Sequence, residues 1–225
     1  MISVITITQQ CGSGGIQLAS LIARKLGWRL LDHRLVDRVT RIADLDVATA
    51  AQFDKQAARW WRDLRHAGIN PVACCPCVSP RWLDEVGEDL VHALATQLIQ
   101  AATDSGECVV VVPGAQCLLE GRADVFNVLA YAPIEERLQA LRPRWPEHSD
   151  VQALLAWMDS RRAEYIRQYY RRDWLDPTLY DLCVSTSIGL DRAATLINDA
   201  VVFPDMSWTP AAEEEVPLCH SSIQS

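Results

Sequence analysis

Apolar positions along the chain alternate between two rhythms. The first is a short β-branched run, "SVITIT" (3–8), which predicts a buried strand. A glycine turn follows at Gly12 to Gly15. Then Leu18, Leu21, Ile22 and Leu26 recur at helical spacing, predicting a helix from about Ile16 to Leu26 that stops at Gly27. "WRLLD" is a second short strand ending at Asp32.

The next stretch, Val36 to Arg65, is helical and charged, and "GINPVACCPCVSP" (68–80) is a proline-rich loop. Leu83, Val86, Leu90, Leu94 and Leu98 mark a long helix. "CVVVV" (108–112) is a continuous apolar run, the signature of a central parallel strand. "VFNVLAYA" (125–132) is another strand. "PIEERLQAL" opens a helix with Pro133 in its first turn and glutamates at the positive end of its dipole. Asp150 to Arg171 is a further long helix, "DLCVSTS" a last strand, and Leu190 to Val202 the closing helix. Strands alternating with helices predict an α/β three-layer fold with a mainly parallel sheet. Residues 1–203 form one expected domain, and 204–225, mixing prolines, "EEE" and serines, a flexible tail.

Composition narrows the function. With 225 residues and 49% hydrophobic content, the chain can bury one substantial core. No apolar run is long enough to span a bilayer, and the N-terminus lacks the basic-then-apolar order of a signal peptide, so a cytoplasmic protein without a membrane partner is expected. A formal net charge of −8 argues against nucleic acid as a partner but allows a small anionic ligand beside a local arginine cluster. The eight cysteines read as free thiols in that compartment. Cys74 to Cys77 ("CCPC") could ligate zinc with His66 or His92, but the spacing departs from paired zinc-ribbon gaps, so loop thiols and no metal site are expected.

The glycine turn is the first candidate site. A strand running through glycines into a helix leaves free N–H groups and a helix dipole aimed at one point, which suits phosphate. Gly12, Gly14 and Gly15 let the backbone wrap an anion, and Ser13 adds a hydroxyl. Where the full P-loop motif ends Gly-Lys-Ser/Thr, Gly15, Ile16 and Gln17 stand instead. The lysine for the outer phosphates and the hydroxyl for magnesium are both missing.

Arginine is the obvious substitute. Arg137, Arg142, Arg144, Arg161, Arg162, Arg167, Arg171 and Arg172 crowd one third of an acidic chain. Arg161 and Arg162 are the leading candidates for the transferring phosphoryl group, followed by Arg142 and Arg144. The bland alternative is helix-face pairing, for which Asp159 to Arg162 and Glu164 to Arg167 have the spacing. Asp32, at the carboxyl end of its strand, either orients an acceptor hydroxyl or a metal-bound water, or caps the next helix. "RWWRDLR" (59–65) offers Trp60 or Trp61 for base stacking or for a partner surface.

"ITITQQCGSGGIQLASLIARKLGWRLLDHRLV" resembles the opening of the cytidylate kinase-like family within the P-loop nucleoside monophosphate kinases. The resemblance covers Gly-Ser-Gly-Gly, the helix, and an Asp-x-x-Leu segment that here carries Asp32 and Arg34. It resumes at "VFNVLAYAPIEERLQAL" and at "MDSRRAEYIRQYYRRDWLDPTLYDLCVSTSIGLDRAATLI", where Asp159, Arg162, Ala163, Tyr165, Tyr170, Tyr180, Asp181 and Thr186 fall on the lid helix and final strand. The resemblance implies a P-loop kinase-like fold with a helical acceptor-side region (36–105) and a lid region (142–175). It implies transfer of the γ-phosphoryl group of ATP, with Mg2+, to a nucleoside monophosphate. Nucleotide contacts would come from Gly12, Ser13, Gly14, Gly15, Ile16 and Gln17. Acceptor contacts would come from Asp32, Arg34, Arg142, Arg144 and Asp159, with Arg161, Arg162 and Asp32 in the chemistry.

Three positions depart from that family's habit. Ile16 stands where arginine is common, Val112 and Pro113 replace a Gly-Arg pair, and Ile188 occupies an often basic slot. Three readings therefore stay open: an active nucleotide kinase, a degenerate nucleotide-binding protein acting through a protein partner or homo-oligomer, and a kinase with a non-nucleotide acceptor.

Overall fold

A computed structural model describes residues 1–32, 92, 96, 99–146 and 150–203. The expected helix 36–65, the loop 68–80, most of the helix 83–98 and the tail 204–225 lie outside the described residues.

Five strands build the sheet: β1 (Val4–Gln9), β2 (Arg29–Asp32), β3 (Cys108–Val111), β4 (Val125–Tyr131) and β5 (Leu182–Ser185). Their order is β2-β3-β1-β4-β5, and every pairing is parallel. The helices are α1 (Gly15–Leu26), α2 (Ala115–Leu118), α3 (Ile134–Leu141), α4 (Val151–Tyr170) and α5 (Leu190–Val202). Residues 99–104 are also helical. The elements expected among the described residues form within one or two residues of their forecast bounds. Gly27 closes α1 in the left-handed conformation at φ 71, and Asp150 caps α4 by accepting the Ala153 N–H at 2.8 Å. The short α2 has no periodic signal in the sequence and was not expected; its four residues, Ala115 to Leu118, make one turn after Gly114.

Alternation across the sheet creates three layers. Ile5, Ile7, Val109, Val111, Val128, Ala130 and Val184 point to one face and pack against Leu18, Ile22, Ala193, Ala194 and Ile197 of α1 and α5. Val4, Cys108 and Val110 point to the other face and meet Ile99, Ala115 and Leu119. Each of these side chains is at most 5% exposed, and burying one apolar side chain of this size is worth about 1.5–3 kcal/mol. That is why "CVVVV" is apolar throughout: β3 is covered on both faces.

The sheet also sets the position of the site. β1 lies between β3 and β4, and the chain crosses from one to the other. The crevice above the carboxyl end of β1 is thus the switch point where open α/β sheets take ligands. Gln9, Asp32, Val111 and Tyr131 all end strands on that edge, in registers Gln9 with Ala130, Asp32 with Val111 and Tyr131 with Ser185.

Candidate functional site

From Gln9 the chain turns through Gln10, Cys11, Gly12, Ser13 and Gly14 into α1. Gly12 and Gly14 adopt left-handed φ values of 82 and 79, which L side chains resist. A Cβ at Gly12 would lie 2.7 Å from the Arg137 carbonyl oxygen, so α3 packs directly on the loop backbone. Gly14 caps α1 with no side-chain acceptor, and the first turn holds no acidic residue. The helix therefore opens with no acidic residue of its first turn set against its dipole, the electrostatic condition for holding an anion.

The loop is braced from the far side. Asp159 of α4 accepts the Cys11 N–H at 2.9 Å. Arg137 of α3 donates from Nε to the Cys11 carbonyl at 2.7 Å and pairs through Nη2 with the second Asp159 oxygen. The two peptide groups flanking the Cys11 Cα are thus gripped by a largely buried ion pair. Cys11 Sγ sits 3.1 Å from Met158 Sδ on the same helix. Ser13 is 3% exposed, and its hydroxyl donates to the Ala130 carbonyl at 3.1 Å, tying the loop to β4. Ser13 serves the loop's shape with that hydroxyl rather than presenting it to the crevice.

Ile16 explains itself on packing grounds. Its side chain lies against the core between the sheet, α1 and α5, while its N–H donates to Gln9 Oε1 at 3.1 Å. Gly15, the first residue of α1, faces the loop interior: a Cβ there would lie 2.5 Å from Gln9 Cβ. Gln17 is exposed, and with its amide oriented to satisfy both neighbours it donates to the Gly14 carbonyl and accepts from Arg144 Nη2, each at 3.2 Å. Arg144 thereby reaches the loop mouth from the 3-10 turn Arg142–Arg144, where Arg142 is also exposed.

The two leading arginines part company. Arg161 pairs with Glu164 one turn along α4, the bland surface arrangement. Arg162 turns inward. It is 5% exposed, its guanidinium lies 5.4 Å from the Trp174 ring centroid, and its Nε makes no hydrogen bond among the described residues. Beside it runs a buried polar thread. Thr8 donates to Gln116 Oε1 at 2.9 Å, Gln116 Nε2 to the Tyr180 hydroxyl at 3.4 Å, and Tyr180 to the Trp174 carbonyl at 2.5 Å. Burial pushes the Tyr180 phenol well above the ordinary tyrosine range, against the opposing pull of Thr8 and of the Arg162 charge.

Beyond β3, Pro113 leads into Gly114 at φ 83. A Cβ on Gly114 would sit 2.3 Å from the Tyr170 ring, so that aromatic side chain fills the space above the strand. Tyr165 and Tyr170 group with His92, which stacks on Tyr169 at a centroid distance of 4.0 Å. Asp32 stands half-buried at the end of β2. Arg34, Trp60, Trp61 and Cys74 to Cys77 lie outside the described residues. Among the described residues no three His, Cys, Asp or Glu side chains converge as a metal site, and no helix is long and apolar enough to cross a membrane.

Sequence reading missed Gln9, Gln116 and the structural use of Arg137 with Asp159. Gln9 and Gln116 carry no charge and sit inside apolar segments. The one available signal was a polar residue closing an otherwise buried strand.

The central strand, its glycine turn and the parallel order around it define a P-loop kinase-like fold. The chain belongs to the Cytidylate kinase-like family, which matches residues 4–188. No curated protein matches the sequence. Among solved structures, an uncharacterized protein from Eubacterium ventriosum is similar, with TM-score 0.63 and 16% identity over 90% of this chain and 99% of that one. Shikimate kinase from Acinetobacter baumannii, in complex with shikimate, is similar at TM-score 0.52 and 15% identity, covering 92% of this chain and 96% of its own. Shikimate kinase from Bacteroides thetaiotaomicron follows at TM-score 0.52 and 14% identity, covering 90% and 99%. At these identities the likeness is one of fold.

Proposed function

We propose that the protein is an ATP-dependent kinase that moves the γ-phosphoryl group to a nucleoside monophosphate of the cytidylate type. The observation that supports this most is the start of α1, free of acidic residues, held by Gly12 and Gly14 over the end of β1 and braced by Arg137 and Asp159. In the reaction the bond from the γ-phosphorus to its bridging oxygen breaks, a bond to the acceptor phosphate oxygen forms, and ADP leaves with the electron pair. Phosphoryl transfer of this kind is mainly positioning and charge neutralisation. The amides of Gly14, Gly15 and Gln17 would hold the phosphates, Arg144 would approach from the loop mouth, and Arg162 from within α4. Asp32 would orient the acceptor at the end of β2, within a region of 36–105, while 142–175 would act as a lid.

Mg2+ keeps most of its water and takes few protein ligands. The fit here is correspondingly spare: Asp32 is the carboxylate at the strand ends, whereas Asp159 is committed to Arg137. When bound, the ion would neutralise phosphate charge.

A second reading, a degenerate nucleotide-binding relative acting on a partner, has one observation in its favour. The loop interior above Gly15 holds a neutral carboxamide, Gln9, and no cation among the described residues. ADP release from Mg·ATP, measured with each common nucleoside monophosphate and without acceptor, tests the two. Acceptor-dependent release is the expected result. Background release with every acceptor would overturn the kinase reading.

A further inference from the structure

The phosphate loop has exchanged two side chains. The P-loop pattern places glycine first, glycine sixth and lysine seventh. The sequence alone sets Gly15 at the sixth position and Ile16 at the seventh, but α1 starts at Gly15, and with its cap Gly14 as the sixth position the first is Gln9 and the seventh Gly15. The usual glycine has thus gained a side chain, and the usual lysine has lost one.

The geometry shows that these two changes need each other. Gln9 is 8% exposed and reaches from the end of β1 across to the first turn of α1. A Cβ on Gly15 would stand 2.5 Å from Gln9 Cβ and 2.6 Å from its Oε1. No side chain fits at 15 while Gln9 is in place. Gln9 Oε1 accepts the Ile16 N–H at 3.1 Å, which ties the carboxamide to the helix start. Its Nε2 makes no hydrogen bond among the described residues.

We propose that Gln9 is a phosphate-binding residue, its Nε2 donating to a terminal phosphate oxygen in place of the missing lysine. This rests on the nucleotide reading above. Oε1 stays on the Ile16 amide, so the donor is aimed without a further ordering cost. A carboxamide is neutral, so it supplies direction but not charge, and the nearby arginines carry the neutralisation.

The test uses the full chain titrated with ATP and, separately, with inorganic pyrophosphate, alongside thermal melting. Gln9→Glu keeps the acceptor for Ile16 and sets a negative charge at a helix N-terminus, which favours the fold. Gln9→Met keeps the length and removes the donor. Both are expected to weaken ATP and pyrophosphate binding by about ten- to a hundredfold, the range for a hydrogen bond to a charged group. Gln9→Glu is expected to melt at or above the wild-type temperature. Gln9→Glu also repels phosphate by its charge, so the neutral Gln9→Met decides: unmoved affinity in that variant overturns the role of Gln9 while the nucleotide reading stands. A wild-type protein that binds neither ATP nor pyrophosphate overturns both.

Discussion

Asp159 accepts the backbone N–H of Cys11 at 2.9 Å, which fastens the long helix α4 to the glycine loop through a main-chain contact. The same carboxylate pairs with Arg137, whose side chain is 8% exposed against 18% for Asp159. Removing one member of such a pair strands the other charge. Asp159→Ala should therefore cost about 3 kcal/mol, the lower end for a broken buried pair, because Asp159 is not fully enclosed. Arg137→Met combined with Asp159→Ala should cost less than the sum of the two single changes, since neither charge is then left alone. Urea denaturation of the four proteins measures this, and strict additivity would disprove the coupling.

Gly114 is required twice over. Its φ of 83 disfavours any Cβ, and that Cβ would lie 2.3 Å from the Tyr170 ring. Gly114→Ala should destabilise by roughly 1–2 kcal/mol from the backbone alone, with the ring clash added. Tyr170→Leu in the Gly114→Ala background should recover the clash and leave the backbone term. Equal stability of the single and double variants would show that Tyr170 yields freely.

The layers of the fold could be read from the sequence because burial dictates pattern. β3 is apolar at every position because helices cover both of its faces, and α5 began and ended where its apolar stripe did. The site was legible only where its chemistry is carried by glycine or charge. Gly12 and Gly14 announced the loop. The direction of each arginine was not legible, because Arg161 and Arg162 are neighbours in sequence yet end on a surface pair and a buried aromatic face respectively. Ile16 looked like a lost cation, whereas it packs on the core and the loop interior belongs to Gln9. Such roles depend on which face of a turn a side chain takes, and no periodicity encodes that at the first residues of a helix.

Arg162 separates stability from activity. Its guanidinium is buried with Nε unsatisfied, and no carboxylate pairs with it among the described residues. A buried charge without a partner is unfavourable, whereas its aliphatic stem and the Trp174 contact favour the fold. Arg162→Met, which keeps the stem, should melt at or above the wild-type temperature. If Arg162 stabilises the transferring phosphoryl group, the same change should lower turnover by about 10²–10³ while ATP affinity changes little. A melting temperature well below wild type would show that the charge is satisfied in the fold and is not held for a ligand.

Asp124 gives the pH dependence at the opposite edge of the sheet. Arg122 donates to it from Nε at 3.0 Å and from Nη2 at 2.9 Å, and the Ser3 hydroxyl donates at 2.6 Å. The Arg122 hydrogen bonds, then that of Ser3, hold the Asp124 carboxyl well below the usual carboxylate range. A depressed folded value means the unfolded chain takes up the proton first, so the contribution is whole above about pH 4 and fades as pH falls further. Asp124 is partly exposed, so solvent screening holds the expected loss in Asp124→Asn to roughly 0.5–1 kcal/mol at pH 7. That gap between wild type and variant should be constant from about pH 5 to 8 and close below about pH 4. Because Asp124 lies just before β4, at the other end of the sheet from the glycine loop, the ATP affinity proposed for that loop should be unaffected. Denaturation of both proteins across this range decides the matter: a gap that persists unchanged to about pH 2 would mean the carboxylate is not what Arg122 and Ser3 stabilise.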